Sequence, residues 1–340
     1  MKRIALEEHF VTEKQLAYLR SRKDYPRLEQ AVDEKGNRVE RLARTPSSSR
    51  LFSPEDVQKL LDVGSGRIAE MDRAGIAMQV LSNSGPSVEE YDASVRVGLA
   101  RSINDELADA VRRNPKRFAA FATLPYGEPL AAADELERCV VKLGMKGTKI
   151  SSHVGGEYLD DRRFWPLFER AEALGVPIYL HPKEPPQGLS KFFAPYPALA
   201  APMWGFSVDA SLHAMRLICS GLFDRYPKLK IILGHLGEGI PFWLWRIDNR
   251  WVKDRHTGLK KLPGEYFREN FRVTTSGMFS DAALGCVHQA IGADNILFAV
   301  DYPFESSEEA VSFMDAAPLG LADKEKICHA NAEALLALPA

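Results

Sequence analysis

Residues 230–235 have the sequence KIILGH, in which three consecutive apolar side chains are followed by a glycine and a histidine. Two of the apolar side chains are β-branched, and Pro227 precedes the run as a helix stop. A continuous apolar run of this length is typical of a parallel strand that is buried on both faces. The segment therefore predicts a buried strand that ends in a histidine.

The same pattern recurs along the chain and predicts eight strands in all. They are residues 3–7 (RIALE), 77–82 (AMQVLS), 118–123 (FAAFAT), 146–151 (KGTKIS), 177–181 (PIYLH), 230–235 (KIILGH), 271–276 (FRVTTS) and 296–300 (ILFAV). Segments with helical spacing lie between them, at 56–74, 92–114, 130–143, 162–174 and 207–225. Eight strands that alternate with helices predict an α/β protein, either a closed (β/α)₈ TIM barrel or a large doubly wound sheet. No GxGxxG turn follows the first strand, which counts against the dinucleotide-binding form of the doubly wound sheet.

Composition excludes several classes of function. The 340 residues are 45% hydrophobic and 26% charged, with a formal net charge of -2, whereas a sequence-independent nucleic-acid binder needs a basic excess. No apolar run reaches the roughly 18–20 residues that span a bilayer. The four cysteines show no CxxC spacing and are expected to be reduced thiols. We therefore expect a cytoplasmic enzyme that forms a single domain over residues 1–340.

Two segments interrupt the alternation of strands and helices. Residues 15–55 are rich in Arg, Lys and Ser and follow the first strand, so they are expected to be an insertion. The insertion is either a lid over the barrel mouth or a disordered linker. Residues 182–208 form a second long segment, rich in Pro and aromatic residues, which suits the wall of an apolar pocket.

Four of the predicted strands deliver a histidine or a carboxylate at their carboxyl ends. In a (β/α)₈ barrel these ends meet at one rim, where catalytic groups cluster. Glu7 and His9 share one face of the first strand because side chains alternate, whereas Glu8 points the other way. We expect convergence on one cation by four residues: Glu7, His9, His181 and Asp301. Two imidazoles and two carboxylates suit one Zn²⁺ or Mn²⁺ ion.

Each of these residues also has an ordinary structural interpretation. A single histidine at a strand end is more often hydrogen-bonded structure than a ligand, and Asp301 is also suited to cap the following helix. The joint pattern at several strand ends favours the metal site, because packing alone requires none of these residues.

Longer motifs carry a resemblance to a known family. The chain resembles the amidohydrolase-related aromatic acid decarboxylases, which include the γ-resorcylate, 2,3-dihydroxybenzoate and 5-carboxyvanillate decarboxylases and relatives similar to aminocarboxymuconate semialdehyde decarboxylase. The motifs are ALEEHF (5–10), YLHP (179–182), GLFDRYPKLKIILGHLGEGIPFWLWRID (221–248), ILFAVDYPFE (296–305) and ICHANAEALLAL (327–338). The resemblance covers nearly the whole chain, and the segment at 235–248 is its most specific part.

The resemblance implies roles for residues at matching positions. The four strand-end residues named above look like the metal ligands, and His235 with Glu238 looks like the catalytic pair beside the metal. Arg246 looks like the cation that holds the substrate carboxylate, through two parallel hydrogen bonds that Lys cannot imitate. A charge on a helix surface is the alternative for Arg246. Lys149 lies on the strand that carries a carboxylated lysine in many hydrolases of the superfamily, and we expect it to be structural.

Weaker candidates lie in the two interrupting segments and after the last strand. Arg50 reaches the site if the insertion folds over it. Trp204, Phe206 and Phe304 are candidates for an aromatic pocket, with core packing as an equal alternative for each.

The function implied by the resemblance is non-oxidative decarboxylation of an ortho-hydroxylated aromatic acid to CO₂ and a phenol. In this hypothesis Asp301 protonates the ring carbon that bears the carboxylate. The alternatives are a metal-dependent hydrolase of an amide, lactone or C–C bond and a barrel that binds a ligand without turnover. The Glu7-x-His9 start differs from the HxH start of the hydrolases, and no GxSxG elbow is present. We expect a small aromatic acid as the partner, no nucleic acid and no membrane, and a homodimer or homotetramer.

Overall fold

The computed structural model describes residues 1–45 and 48–338, and eleven β-strands lie in these ranges. They are β1 (Ile4–Phe10), β2 (Arg27–Val32), β3 (Arg38–Thr45), β4 (Ser48–Phe52), β5 (Met78–Asn83), β6 (Phe118–Ala120), β7 (Thr148–Ser151), β8 (Ile178–His181), β9 (Ile231–Leu233), β10 (Phe271–Thr274) and β11 (Ile296–Leu297). All eight strands predicted from the sequence are present, and β2, β3 and β4 are additional.

Helices follow the strands of the α/β alternation. They are α1 (Glu13–Ser21), α2 (Pro54–Leu61), α3 (Ser65–Ala74), α4 (Ala93–Arg113), α5 (Pro129–Leu143), α6 (Trp165–Leu174), α7 (Gln187–Ser190), α8 (Gly205–Cys219), α9 (Leu222–Arg225), α10 (Ile240–Lys253), α11 (Pro263–Asn270), α12 (Asp281–Ile291), α13 (Ser307–Ala316), α14 (Leu321–Glu325) and α15 (Asn331–Leu336). Among the residues described, no helix combines the length and the apolar character that crossing a bilayer requires.

The eight predicted strands form two parallel sheets. One has the order β1-β5-β6 and the other the order β11-β10-β9-β8-β7. Two isolated parallel bridges connect the sheets, Ala122 with Thr148 and Glu8 with Tyr302. The ladder of β6 is shorter than predicted because the chain changes partner there: the Phe121 amide donates to Leu81 of β5, and the Ala122 amide donates to Gly147, just before β7. The predicted α/β class with parallel strands is confirmed.

The strands are apolar throughout because they are buried on both faces. On β1, Ile4 and Leu6 belong to one buried cluster, which also contains Val80 and Ile232. Ala5, between them in sequence, belongs to the larger cluster that packs against the helices. Both faces of the strand thus contact apolar side chains, which leaves polar side chains to gather at its carboxyl end.

The insertion after β1 is a folded unit. Between α1 and α2 it forms an antiparallel sheet of order β2-β3-β4, and Leu28, Leu42 and Phe52 of this sheet are buried. The disordered-linker alternative is therefore wrong for residues 15–45 and 48–55. The second long segment differs from expectation as well, because Phe192, Tyr196 and Met203 are exposed and do not wall a buried pocket.

Candidate metal centre

Glu7, His9, His181 and Asp301 converge as the sequence predicts. One ligand atom from each residue lies within 4.8 Å of the ligand atoms of the others. Nε2 of His9 is 2.9 Å from Oδ1 of Asp301, and Nε2 of His181 is 3.2 Å from Oε1 of Glu7. Glu8 points away from this group, and its Oε1 accepts a hydrogen bond of 3.1 Å from the Val300 amide. The four side chains that come together are thus those of the predicted ligand set.

The surroundings of His181 and Glu7 orient both residues for a cation. Nδ1 of His181 lies 2.7 Å from the Pro182 carbonyl oxygen, so Nδ1 carries the hydrogen and Nε2 keeps its lone pair. Tyr179 donates a hydrogen bond to Oε2 of Glu7. Oε1 of Glu7 is buried without any hydrogen bond in the described part of the chain. A divalent cation satisfies both this oxygen and the imidazole lone pair that faces it, so the residues fit a metal ion.

Electrostatics keep Glu7 ionised although it is buried. Burial raises the pKa of the Glu7 carboxyl, but His235, His181 and His9 together hold that pKa well below its usual value. An ionised carboxylate is the form that binds a metal ion.

His235 and Glu238 form a close pair beside the ligand set. Nδ1 of His235 is 2.7 Å from Oε1 of Glu238, and Nε2 of His235 is 4.0 Å from Oδ2 of Asp301. Burial lowers the pKa of His235, but Glu238 and Glu7 outweigh burial and hold the pKa well above its usual value. Glu238 therefore favours the protonated form of His235, whose Nε2 faces Asp301.

Asp301 occupies an unusual backbone position directly after the last strand. Its φ is 79°, in the left-handed region, and its amide donates a 3.0 Å hydrogen bond to the Glu7 carbonyl. Burial raises the pKa of Asp301, but the nearby His235 and the hydrogen bond with His9 leave that pKa below its usual value. Backbone strain of this kind is concentrated at functional sites.

Arg50 and Phe304 lie next to the ligand set. The Phe304 ring centroid is 5.3 Å from that of His9, and the Arg50 guanidinium lies 4.1 Å from the Phe304 centroid. Phe52, which the sequence analysis did not single out, is 6.4 Å from Phe304 between ring centroids. Strand β4 of the insertion therefore brings a cation and an aromatic ring to this place.

Arg246 and Trp204 are not brought to the four ligands. Arg246 is exposed on α10 and lines a surface pocket of about 470 Å³ with Glu238 and Trp243. Trp204 is 57% exposed just before α8. No hydrogen bond or ring contact within residues 1–45 and 48–338 joins either side chain to the ligand set. Substrate binding by these two residues stays a prediction. Phe206, half-buried near the start of α8, was likewise only a candidate.

Two polar residues support the candidate ligands: Lys149, which the sequence analysis expected to be structural, and Tyr179, which it did not single out. Lys149 is only 8% exposed, and its Nζ lies 3.4 Å from Nδ1 of His9. Burial lowers the pKa of Lys149 to about 8. The two residues are register partners on β7 and β8. The signal in the sequence was a lysine or a tyrosine within a strand that is expected to be buried on both faces.

Comparisons with known proteins agree with this geometry. A profile of a family described as amidohydrolase matches residues 31–338. The gamma-resorcylate decarboxylase of Polaromonas sp. (strain JS666) is 38% identical over 350 residues, covering 99% of this chain and 98% of that protein.

Two solved structures resemble the whole chain. The 5-carboxyvanillate decarboxylase of Sphingomonas paucimobilis superposes with a TM-score of 0.88 at 35% identity and covers 99% of both chains. A dihydroxybenzoic acid decarboxylase from Polaromonas sp. JS666, solved with bound manganese and the inhibitor 2-nitroresorcinol, superposes with a TM-score of 0.86 at 37% identity. That comparison covers 99% of this chain and 97% of the other.

Proposed function

The chain belongs to the amidohydrolase family, and from this premise we propose that it is a metal-dependent, non-oxidative decarboxylase of an ortho-hydroxylated aromatic acid. The observation that carries the proposal is the convergence of Glu7, His9, His181 and Asp301 beside the His235–Glu238 pair. Relatives of similar length that are named decarboxylases support it. Because these relatives are named decarboxylases, they favour decarboxylation over the alternative of a metal-dependent hydrolase.

The proposed cofactor is one divalent ion per chain, Mn²⁺ or Zn²⁺, held by the four ligand residues. Manganese is favoured because a structural relative binds it, and the mixed imidazole and carboxylate set suits either ion. When bound, such an ion supplies a Lewis acid that orients the substrate and stabilises the phenolate charge.

Asp301 is the proposed donor of the proton to the ring. A bond forms between this proton and the ring carbon that bears the carboxylate, and aromaticity is lost. The bond between the ring and the carboxylate then breaks, and its electron pair restores the aromatic ring as CO₂ leaves. The reaction consumes one proton per turnover, so Asp301 must be reprotonated. His235, whose protonated form Glu238 favours, lies 4.0 Å from Asp301 and is the proposed donor, with one water to carry the proton between them.

Arg50 and Phe304 are proposed to bind the substrate. The Phe304 ring, beside His9, offers a flat apolar surface to an aromatic acid, and Arg50 above it offers a cation to the carboxylate. Arg246, exposed on α10, and Trp204 are weaker candidates because no contact links them to the ligands of their own chain within the described residues.

We further propose that the eight parallel strands close into one barrel and that the insertion is its lid. The bridges from Ala122 to Thr148 and from Glu8 to Tyr302 support the closure of the barrel. An ion pair of 3.0 Å between Arg44 of β3 and Glu184, just after His181, supports the lid. A homodimer or homotetramer and a cytoplasmic location also remain proposals.

The experiment is a substrate panel on protein of known metal content. 2,3-, 2,4- and 2,6-dihydroxybenzoate and 5-carboxyvanillate are incubated with the enzyme, and loss of the acid and gain of the phenol are followed. We expect turnover of at least one acid, with loss of activity on chelation. Asp301→Asn should lower kcat by about 10²- to 10⁴-fold.

The matched control is Asp294→Asn, which removes an exposed aspartate paired with Lys326 and should leave kcat unchanged. Metal-loaded protein that converts none of the acids but hydrolyses amides or lactones would contradict the decarboxylase proposal.

A further inference from the structure

A small cavity lies beside Lys149, whose Nζ is 3.4 Å from Nδ1 of the proposed metal ligand His9. Its volume is about 10 Å³, and Lys149, Glu89, Thr123 and Tyr126 are among its lining residues. This volume is close to the smallest that holds one water molecule. The cavity is therefore of the right size for a single bound water and too small for a substrate or cofactor.

Three polar groups around the cavity lack hydrogen bonds that buried groups normally make. Oε2 of Glu89 and Oγ1 of Thr123 are buried and have no hydrogen-bond partner in the described ranges. Nζ of Lys149 has one neighbour within hydrogen-bonding distance, Nδ1 of His9, and it forms no ion pair with a described carboxylate. Because more than nine in ten buried polar groups are paired, three such groups on one cavity indicate a shared partner.

The arrangement of Glu89 leaves one of its oxygens for that partner. Oε1 of Glu89 is hydrogen-bonded to the Tyr126 hydroxyl, which also accepts a 2.8 Å bond from the Ser151 amide. Tyr126 is thus fixed to the backbone of β7, the strand that carries Lys149. Oε2, the remaining oxygen of Glu89, is the unpaired one.

The cavity connects to the metal centre through Lys149. The second ring nitrogen of a metal-ligating histidine almost always has a partner that fixes the orientation of the ring. For His9 that partner is Nζ of Lys149, 3.4 Å from Nδ1 at the end of a flexible four-carbon chain; with Nε2 turned to the ligand set, Nδ1–H donates and the amine nitrogen of Lys149 accepts. To stay beside His9, the Lys149 amino group needs further hydrogen-bond partners. The unpaired groups that line the cavity can supply them through a shared partner.

We propose that the cavity binds one ordered water molecule, which joins Lys149 to Glu89 and Thr123 and makes Lys149 a positioning residue for His9. Such a water makes about three hydrogen bonds, the usual number for a buried water. The positioning role rests on the proposed metal centre, whereas the water site does not.

The test measures Mn²⁺ binding to the full chain by electron paramagnetic resonance of the free ion. Thr123→Val keeps the shape of the side chain and removes the hydroxyl. We expect it to weaken Mn²⁺ binding by about 10-fold, and Lys149→Met by about 10- to 100-fold. In the Lys149→Met background, Thr123→Val should not weaken Mn²⁺ binding further, because the water is then no longer linked to His9 through the Lys149 amino group.

Two matched controls separate positioning from loss of stability. Thr123→Ser keeps a hydroxyl at this position, so the variant should bind Mn²⁺ as the unaltered chain does. Thr148→Val removes another buried hydroxyl, which donates to the Ala122 carbonyl, and should leave Mn²⁺ affinity unchanged. Equal affinity in Thr123→Val and the unaltered chain, or additive losses in the double variant, would overturn the positioning role.

A crystal structure of the metal-free protein tests the water site independently. We expect density for one water within hydrogen-bonding distance of Lys149, Glu89 and Thr123, and its loss in Thr123→Val. A dry cavity at high resolution would overturn the water site. If the unaltered chain bound neither Mn²⁺ nor Zn²⁺, the decarboxylase proposal and the positioning role would fail together, and the density would still decide the water site.

Discussion

Two carboxylates favour the protonated form of His235, which its burial opposes. Burial lowers the pKa of an imidazole, but Glu238 at 2.7 Å, together with Glu7, keeps the pKa of His235 well above its usual value. Asp301 has the opposite character, because the neighbouring His235 and the hydrogen bond with His9 hold its pKa down. A carboxylate with a low pKa is a poor resting acid, so the histidine is the better store for the proton that decarboxylation consumes.

Replacing Glu238 by glutamine should move the alkaline limb of the pH profile to lower pH. The variant loses the carboxylate charge that raises the pKa of His235, so His235 is deprotonated at a lower pH than before. If turnover needs the imidazolium, kcat/KM then falls as pH rises through the lowered pKa. The measurement is kcat/KM against pH for both proteins, with metal content matched.

The control for this variant is Glu333→Gln, at a second His–Glu pair. Glu333 lies 3.2 Å from His329, outside the ligand set, so its replacement should leave the profile in place. An alkaline limb that stays at the same pH in Glu238→Gln would show that another group sets it.

The sequence predicted that the four candidate ligand residues meet, because their positions follow from topology. The carboxyl ends of parallel strands share one rim, so Glu7, His9, His181 and Asp301 had to be neighbours once the strands were assigned. Tyr179 was not singled out and Lys149 was expected only to be structural, because the role of each depends on which neighbours its side chain meets inside the fold. Arg246 shows the same limit, since the motif left substrate binding and a charge on the helix surface both open, and its side chain is exposed.

At the scale of elements, the turn between β9 and α10 has an unusual backbone. Five consecutive residues have positive φ: His235 (48°), Leu236 (54°), Gly237 (82°), Glu238 (53°) and Gly239 (79°). Hydrogen bonds stabilise the turn, and one of them, 2.7 Å long, runs from the Leu236 amide to the Thr274 carbonyl. Left-handed conformations cost about 1–2 kcal/mol for each non-glycine residue. The turn holds that strain while it brings His235 and Glu238 face to face.

Gly237→Ala should destabilise the protein more than Gly239→Ala. Both glycines have a left-handed φ, which costs alanine about 1–2 kcal/mol. A Cβ at Gly237 would also lie 3.0 Å from Pro241 and Val273, whereas a Cβ at Gly239 meets nothing within 4 Å. We expect unfolding free energies lowered by about 2–4 kcal/mol for Gly237→Ala and about 1–2 kcal/mol for Gly239→Ala, measured in urea. Equal losses would contradict the steric argument.

The insertion is tied to the loop after β8 by the Arg44–Glu184 ion pair. Arg44→Ala should loosen the insertion and raise KM by about two- to fivefold, the range of one partly exposed ion pair. Cleavage by trypsin within residues 33–37, the turn between β2 and β3, should become faster. The measurements are KM for the best substrate of the panel and the rate of cleavage.

Arg41→Ala is the matched control, because Arg41 also lies on β3 but pairs with Glu29 inside the insertion. Exchange of the charges in Arg44→Glu with Glu184→Arg should restore KM. A charge exchange that fails to recover KM, or an equal effect of Arg41→Ala, would exclude the ion pair as the tie.

The eight parallel strands could be predicted because their burial on both faces demands apolar runs. The antiparallel sheet of the insertion could not, because its strands expose one face and carry many charges. On β2 only Leu28 is buried, and Glu29 pairs with Arg41 on the neighbouring strand. Such cross-strand charge pairs stabilise a sheet without leaving an apolar pattern in the sequence.

At the scale of the whole molecule, α10 presents a large apolar surface. Phe242, Trp243 and Trp245 are 71%, 52% and 74% exposed, while Ile240 and Leu244 of the same helix are buried. A helix that is apolar on both faces normally packs on both. Leu212 of α8, 41% exposed, lines the same surface pocket as Trp243 and extends the apolar area. Contiguous exposed patches of this kind mark protein–protein contacts, and the expected homo-oligomer is the simplest partner.

Trp243→Glu combined with Trp245→Glu should therefore shift the protein towards the monomer. A charge placed in the apolar centre of an interface is left without a partner, so the dissociation constant should rise at least about 100-fold. Leu130→Glu on α5, at a side chain 71% exposed elsewhere, is the control and should leave the mass unchanged. The measurement is molar mass by light scattering across a range of concentrations. A monomeric unaltered chain, or an oligomer that survives both tryptophan replacements, would show that this face is not the interface.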